Sequence, residues 1–503
     1  MKLIDLAQGL DFISFRGNLD IEISNIAYDS RKVEAGSLFI CVEGFHTDGH
    51  RYIQSAVDKG ASAIVVQRSV EALNDPACQH ITFITVVDTR KALAHVSHIF
   101  FDSPSSRLQV VGVTGTNGKT TTTHMIRSIL GAAGKTSGLI GTVANVIDQK
   151  STPSSLTTPE SLELQELFSK MVDQHIEHAV MEVSSQGLAR NRVDYTEFDI
   201  GIFTNLTRDH IGPTEHKDMQ DYLNAKARLF RMCKQGLINT DCEHSGQIAE
   251  QATCSIKTFG INQPADFRAT DLTLRSDGSS FIIETPTGPI QVCLNMPGLF
   301  NIYNALAAAG ACSLIGISND AIRDGLQHAY VPGRTEFIET GLNFDVMIDY
   351  AHTPDSLEKI LNMLKVNARG RIVCVFGCPG ERDIEKRRIM GEISGRLADF
   401  TVVTTDNPKS EDPLDIIREI EYGLNNVNGD YISIQERSQA IRYALSNARP
   451  DDIVLLAGKG HETLQQMKNI SVSFNERQIV SRVLDEMKSS DHHFTPSMSL
   501  YGE

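Results

Sequence analysis

The chain has 503 residues, 41% of them hydrophobic and 22% charged, with 63 acidic against 47 basic side chains and a formal net charge of −16. An acidic balance of that size excludes general affinity for nucleic acid, which rests on basic surface, and no run reaches the ~20 unbroken apolar residues of a membrane helix. The length exceeds what one hydrophobic core supports and predicts three domains.

The opening stretch MKLIDLAQGLDF carries Asp5 and Asp11 where an export signal has an apolar segment, so a cytoplasmic protein is expected. Asp29-Ser30-Arg31 and the run 44–49 (GFHTDG) read, on residue type alone, as ordinary turns. The polar run 102–106 (DSPSS) marks one boundary and Pro332-Gly333-Arg334 a second, giving domains 1–105, 106–334 and 335–503.

Runs rich in β-branched residues alternate with helical stretches at 108–113, 179–183, 200–204, 346–349, 372–376, 400–404 and 453–457. Such alternation predicts an α/β fold of mostly parallel sheets covered by helices. Ligands of such sheets bind beyond the carboxyl ends of the strands, so the loops there are the place to look for chemistry. The nine cysteines are odd in number and scattered, with no CxxC pair, and are expected to be reduced; Cys374 and Cys378 lie closest in sequence. From about Ser489 the chain turns polar and is expected to fray.

The sharpest local signal is Gly115-Thr116-Asn117-Gly118-Lys119-Thr120, between a predicted strand and a helix running through Leu130. Glycines let backbone amides wrap a phosphate, the helix N-terminus adds N–H donors, and Lys119 brings charge to the outer phosphates. The Thr120 hydroxyl is suited to Mg²⁺. The general phosphate-loop spacing asks for glycine at position 113, which is Val113 here, so this is a shorter variant. By itself such a loop fits a kinase, a motor, a switch or a ligase.

Further motifs narrow the choice. GTNGKTT at 115–121, MEVSS at 181–185, TNLTRDH at 204–210, NIYNALAA at 301–308, GRTE at 333–336, DYAHTP at 349–354, DNP at 406–408 and GKGHE at 458–462 stand in the order found in the Mur ligases. The chain resembles that family from about Ile26 to Val483, and most closely the branch that adds the third residue of the peptidoglycan stem peptide.

The resemblance implies an N-terminal uridine-binding α/β domain, a central phosphate-loop ATPase domain and a C-terminal Rossmann-like domain. It also implies an ATP-dependent ligase that phosphorylates a carboxylate so that an amine can displace phosphate, as part of cell-wall biogenesis, with ATP and Mg²⁺ as cofactors. The implied substrates are UDP-N-acetylmuramoyl-L-alanyl-D-glutamate and a free amino acid, and a monomer is expected.

Residue by residue, the resemblance assigns ATP to Gly115, Thr116, Asn117, Gly118, Lys119, Thr120, Thr121, Asn304, Arg334, Asp349 and His352. Metal falls to Thr120, Glu182, His210 and a carbamylated Lys226, a lysine that composition alone would leave on the surface. Lys119, Glu182, His210, Lys226 and Arg334 form the catalytic set, charge at the transferring phosphate being where a cationic fork helps most. The UDP-linked substrate falls to Ser30, His46, Thr157, Thr158, Ser184 and Arg192.

For the amino acid the matching positions are Arg387, Asp406, Asn407, Lys409, Gly458 and Glu462. The diaminopimelate enzymes of the family carry arginine where this chain has Lys409. Lysine keeps the charge but loses the two-pronged geometry, and the L-lysine enzymes usually lack a cation there, so charge favours meso-2,6-diaminopimelate. The alternatives are an L-lysine-adding ligase, a related amide ligase with another acceptor, and a nucleotide-binding protein without catalysis. Against the last stand Lys119, Glu182, His210 and Lys226, all present.

Overall fold

The computed structural model describes residues 1–44, 47–73, 75–212, 215–468 and 470–491. The chain forms two compact units, one of residues 1–206, 213–268 and 306–325, the other of 207–212, 269–305 and 326–503.

In the first unit a five-stranded sheet comes first, its neighbours in the order Phe12–Arg16, Thr82–Val86, Ala63–Val66, Ser37–Ile40, Asn25–Ala27. Only the Phe12–Arg16 edge is antiparallel. Every residue of Ser37–Ile40 and Ala63–Val66 is buried. That is the continuous apolar pattern of strands covered on both faces. One face packs against helix Thr89–Phe100 through Leu93 and Val96, the other against Ile53 and Ala56.

The larger sheet of this unit is built around strand Gln109–Thr114. It is flanked by His178–Glu182 on one side and Phe198–Phe203 on the other, both parallel to it. Ser137–Ile140 continues the sheet beyond His178–Glu182, and Cys233–Asn239 and Ser255–Gly260 continue it beyond Phe198–Phe203, all parallel. The central strand is therefore where the strand order reverses, the crevice in which such sheets bind ligands. Gly112 permits the packing: a Cβ there would meet the Phe198 ring at 2.7 Å.

The second unit carries a six-stranded sheet in the order Glu336–Ile338, Asp345–Asp349, Ile453–Ala457, Ile372–Phe376, Phe400–Val403, Tyr431–Ser433. It is parallel except at Glu336–Ile338. Helices cover both faces, with Leu357, Met390 and Ile420 in one core and Ile441, Val480 and Leu484 in the other. This is the mostly parallel, helix-covered sheet that the alternating pattern predicts and the Rossmann-like domain that the resemblance implies. Helix Glu476–Asp491 runs past Ser489, so the chain is helical for the first residues of the stretch expected to fray, and 492–503 lie outside the described residues.

All nine cysteines are free thiols. Among the described residues no helix is long and apolar enough to cross a membrane.

Candidate active site

Three neighbouring strand ends of the first unit supply the site. Strand Gln109–Thr114 runs into the phosphate loop, His178–Glu182 ends on Glu182, and Phe198–Phe203 leads to Thr204 and Asn205. The loop enters helix Lys119–Ala132 through Gly118, which sits at φ +88°, and no side chain caps that helix. Its first amides are thus oriented for an anion. Gly115 at φ +151° lies so close to Thr204 that any side chain would collide with it.

Thr204 and Asn205 pin the loop. The Thr204 hydroxyl donates to the Asn117 carbonyl at 2.6 Å, Asn205 Nδ2 donates to the same oxygen at 3.1 Å, and the Asn117 amide donates to Asn205 Oδ1 at 2.9 Å. Lys119 Nζ donates to the carbonyls of Gly115 and Thr116, both at 2.8 Å. Thr120 and Thr121 are buried on the first turn.

Glu182 is 1% exposed. Its carboxylate accepts from the Thr120 hydroxyl at 3.0 Å, the Thr142 hydroxyl at 3.0 Å and the Thr142 amide at 2.8 Å. Among the described residues no lysine, arginine or histidine pairs with it. A buried carboxylate held only by neutral donors is costly unless a cation joins it, so Glu182 with the Thr120 hydroxyl fits a divalent metal.

The expected substrate residues gather beside it. Thr157 Oγ1 lies 3.0 Å from Thr142 Oγ1. The Thr158 hydroxyl donates to the Glu182 carbonyl at 2.9 Å and accepts from the Ser184 amide at 2.9 Å. Ser184 caps the short helix after it through the Gly187 amide. Arg192 donates to the Thr158 carbonyl at 3.1 Å and pairs with Glu160 at 2.9 Å.

Glu160 is also paired with Arg90 at 3.1 Å. Arg190 belongs to the same group, its pKa lowered to about 10 by burial and by Arg90 and Arg192. Three guanidinium groups around one carboxylate leave surplus positive charge, suited to a phosphate or carboxylate of the substrate. Sequence reasoning missed Arg90 and Arg190: the first lies about a hundred residues away in sequence, and the second carries no motif of its own.

Lys226 is 1% exposed, on helix Met219–Ala227. The surface position that composition suggests is thereby corrected. Its Nζ stands 4.3 Å from the centre of the Tyr222 ring, and Tyr222 Oη lies 3.2 Å from Thr116 Oγ1 of the phosphate loop. The signal was the spacing: Lys226 falls one turn after buried Tyr222, on the inward face.

Ser30 begins a 3-10 turn at the end of Asn25–Ala27, its carbonyl accepting from Lys59 Nζ at 2.9 Å. His46 lies outside the described residues. His210 belongs to the second unit with Asn304, Arg334, Asp349 and His352. His210 sits at φ +56°, with Nε2 3.5 Å from its neighbour Asp209.

Within the second unit, Asn304 Nδ2 donates to Asn301 Oδ1 at 3.2 Å, and Asn301 in turn donates to Thr335 Oγ1 at 3.3 Å. The Thr335 amide donates to Asp349 at 2.7 Å, and Arg334 stacks over the Tyr350 ring at 4.4 Å. Burial raises the Asp349 carboxyl against the opposing pull of Arg334. The His352 imidazole is pushed down to about 4 by burial, with Lys386 adding to the effect, and one ring nitrogen lies 2.8 Å from the Tyr350 carbonyl.

The amino-acid residues of the same unit form a second group. Gly458, at φ +111°, backs onto Asp406, whose carboxylate would meet a Cβ there at 2.9 Å. Asn407 Nδ2 donates to Glu462 Oε2 at 2.9 Å. Lys409 sits at φ +54° with Nζ 3.6 Å from Glu381 and its side chain 32% exposed. Arg387 is buried and paired with Glu411 at 2.8 Å and Glu419 at 2.9 Å.

Fold and site together define a phosphate-loop α/β enzyme that works on ATP. Comparison with known proteins gives the family: residues 22–100 match the Mur ligase family catalytic domain, 113–312 the Mur ligase middle domain, and 333–460 the Mur ligase glutamate ligase domain. The UDP-N-acetylmuramoyl-L-alanyl-D-glutamate–2,6-diaminopimelate ligase of Caldanaerobacter subterraneus subsp. tengcongensis is 43% identical over 97% of this chain and 99% of its own. A protein of the same name, numbered 1, from Clostridium acetobutylicum is 44% identical over 97% of this chain and all of its own.

A solved structure of a UDP-N-acetylmuramoyl-L-alanyl-D-glutamate–2,6-diaminopimelate ligase superposes with a TM-score of 0.68 at 27% identity, covering 97% of this chain and 99% of that one. The fold also matches a MurF ligase from Thermotoga maritima in complex with ADP, at a TM-score of 0.61 and 18% identity over 94% and 98% of the two chains. The chain belongs to the Mur ligase family, the ATP-dependent, ADP-forming ligases of peptidoglycan synthesis.

Proposed function

We propose that this ligase joins meso-2,6-diaminopimelate to UDP-N-acetylmuramoyl-L-alanyl-D-glutamate through an acyl phosphate on the D-glutamyl carboxylate. The observation that carries the reading is the likeness, at 43–44% identity over nearly the whole chain, to relatives bearing that name. Lys409 supports the amino acid, since a cation there suits the distal carboxylate of diaminopimelate and repels the ammonium of L-lysine.

The chain's residues divide the work. The loop amides of 115–121 and Lys119 hold the ATP phosphates. Thr120, Glu182, His210 and carbamylated Lys226 would hold Mg²⁺, which when bound neutralises charge on the phosphates and the attacking carboxylate. Burial of Lys226 on the helix whose Tyr222 reaches the phosphate loop, rather than at the surface, supports that role. Thr157, Thr158, Ser184, Arg192, Ser30 and His46 hold the UDP-linked substrate, and Arg90 and Arg190 add charge beside them. Asn304 takes the adenine, and Arg334, Asp349 and His352 meet the nucleotide. Arg387, Asp406, Asn407, Lys409, Gly458 and Glu462 hold the amino acid.

The domains are 1–105, 106–334 and 335–503, a division supported by three separate family matches, 22–100 and 113–312 inside the first two domains and 333–460 starting two residues before the third. The enzyme acts as a monomer in the cytoplasm, where ATP and UDP-linked substrates are made. The test is isotopic: with ¹⁸O in the D-glutamyl carboxylate, one labelled oxygen should leave in inorganic phosphate for each peptide bond formed. Phosphate free of label would exclude the acyl phosphate.

A further inference from the structure

Lysine is among the residues least suited to full burial, because its ammonium gives up hydration. Lys459 is nonetheless fully buried, in the loop that leaves strand Ile453–Ala457. Its Nζ donates to Glu462 Oε2 at 2.8 Å and to Asn407 Oδ1 at 3.1 Å. Asn407 Nδ2 closes the triangle on the same Glu462 oxygen at 2.9 Å. Two loops that follow different strands, Phe400–Val403 and Ile453–Ala457, are thereby tied at one ammonium. The Phe474 ring, its centre 5.6 Å from Nζ, gives that ammonium an apolar floor.

The tie is one-sided. Glu462 Oε2 is saturated by Lys459 and Asn407, while Oε1 has, among the described residues, only the long 3.4 Å contact with the Tyr350 hydroxyl. The Glu462 side chain is 28% exposed and that of Lys459 is not exposed at all. Glu462 can therefore meet a ligand, and Lys459 acts only through it.

Charge points to the kind of ligand. Deeper in the unit Arg437 and Glu476 form a fully buried pair at 2.7 Å and compensate each other. Arg437 also donates to the Ala457 carbonyl at 2.8 Å, anchoring the strand end from which the loop springs. Lys459 is left with one positive charge against two carboxylates, Glu462 and Asp406, the latter backing onto Gly458. With Arg334 stacked over the neighbouring Tyr350 ring, it is the outer oxygen of Glu462, held by one long contact and turned from Lys459, that suits an ammonium.

We propose that Lys459 is a positioning residue for the amino-acid substrate: with Asn407 it fixes Glu462 so that Oε1, held by one long contact alone, receives the distal ammonium of a diamino acid. The proposal rests on the reading of this loop pair as the amino-acid pocket. Without the Lys459 charge, Glu462 is free to turn, and the amino acid loses a preformed acceptor while ATP loses nothing.

The test is steady-state kinetics on the full-length enzyme and on Lys459→Met, Glu462→Gln and the double variant, with meso-diaminopimelate and ATP each varied and thermal melting followed alongside. Lys459→Met should raise KM for diaminopimelate at least about tenfold and leave KM for ATP within about twofold. In the Glu462→Gln background the same change should add nothing, as for residues that act as a unit. Should Lys459→Met not fold, Lys459→Gln keeps a hydrogen-bond donor while removing the charge and should give the same selective rise. An unmoved KM for diaminopimelate in the folded variant, or full additivity in the double variant, overturns the role of Lys459 alone. A wild-type enzyme that uses no diamino acid overturns the reading of the pocket as well.

Discussion

The carboxylate of Glu182 and the hydroxyl of Thr120 meet at 3.0 Å inside the first unit, joining the end of one strand to the first turn of the phosphate-loop helix. The Thr142 hydroxyl and amide complete the shell at 3.0 and 2.8 Å. Because hydroxyls can donate or accept, Glu182→Gln keeps a satisfied shell and removes a buried charge. Folding stability should stay level or rise by up to about 1 kcal/mol, while ligation falls by roughly two orders of magnitude or more. Denaturant unfolding beside a ligation assay reads both. A variant that is both less stable and fully active would mean that Glu182 is structural.

Lys119→Ala should abolish ATP turnover without unfolding the protein. The lysine bonds loop carbonyls and fills no core, so the stability loss should stay below about 3 kcal/mol and leave the fold intact. Loss of a charge-assisted contact of about 1.5–3 kcal/mol at the phosphates should cost ADP release one to two orders of magnitude or more. Release of ADP and a melting curve check the two halves.

Lys226→Ala should be inactive and partly restored by small carboxylates such as formate or acetate, which return the anion a carbamate supplies. The residue is buried against Tyr222, so the cavity left by alanine has room for the rescuer. Activity of the variant is measured against carboxylate concentration. Full activity without any rescuer would remove Lys226 from the catalytic set.

Much of this was legible in the sequence, for physical reasons. The strands read at 108–113, observed as Gln109–Thr114, and at 372–376 and 453–457 were long β-branched runs, the pattern of parallel strands buried on both faces. The phosphate loop follows such a strand directly and Glu182 closes another, the places where ligands of these sheets are sought. Lys226 did not, since one cation in a helix looks like a solvated residue until the buried Tyr222 one turn before it fixes the face. Arg90, Arg190 and Lys459 were missed because their meaning lies in partners distant in sequence: Glu160 for the arginines, Asn407 for the lysine.

His352 makes stability of the second unit pH-dependent. Its folded pKa is about 4, against about 6.5 in an unfolded chain. Between those values the unfolded chain binds a proton that the folded one refuses. The contribution is fully present above pH 6.5 and is lost as pH falls to about 4, by roughly 3 kcal/mol. His352→Gln should flatten that part of the profile, as read by urea unfolding of both proteins from pH 7 to pH 4. Parallel profiles would show that His352 does not carry it.

Lys409 is the residue on which the choice of amino acid turns. Lys409→Ala should weaken diaminopimelate use by about 1.5–3 kcal/mol in kcat/KM, the size of a charge-assisted hydrogen bond, and Lys409→Arg should strengthen it. KM for ATP and for the UDP-linked substrate should barely change. Kinetics of the three proteins with diaminopimelate and with L-lysine decide it, and unimpaired diaminopimelate use by the alanine variant would turn Lys409 away from the substrate carboxylate.

The central claim is the reaction itself. Purified enzyme with ATP, Mg²⁺ and UDP-N-acetylmuramoyl-L-alanyl-D-glutamate is offered a panel of free amino acids that includes meso-diaminopimelate and L-lysine, and the products are read by mass spectrometry. The account predicts one dominant product, heavier than the UDP-linked substrate by diaminopimelate less one water, with one ADP released per bond. A dominant L-lysine adduct, or ADP release with no adduct to this acceptor, would contradict it.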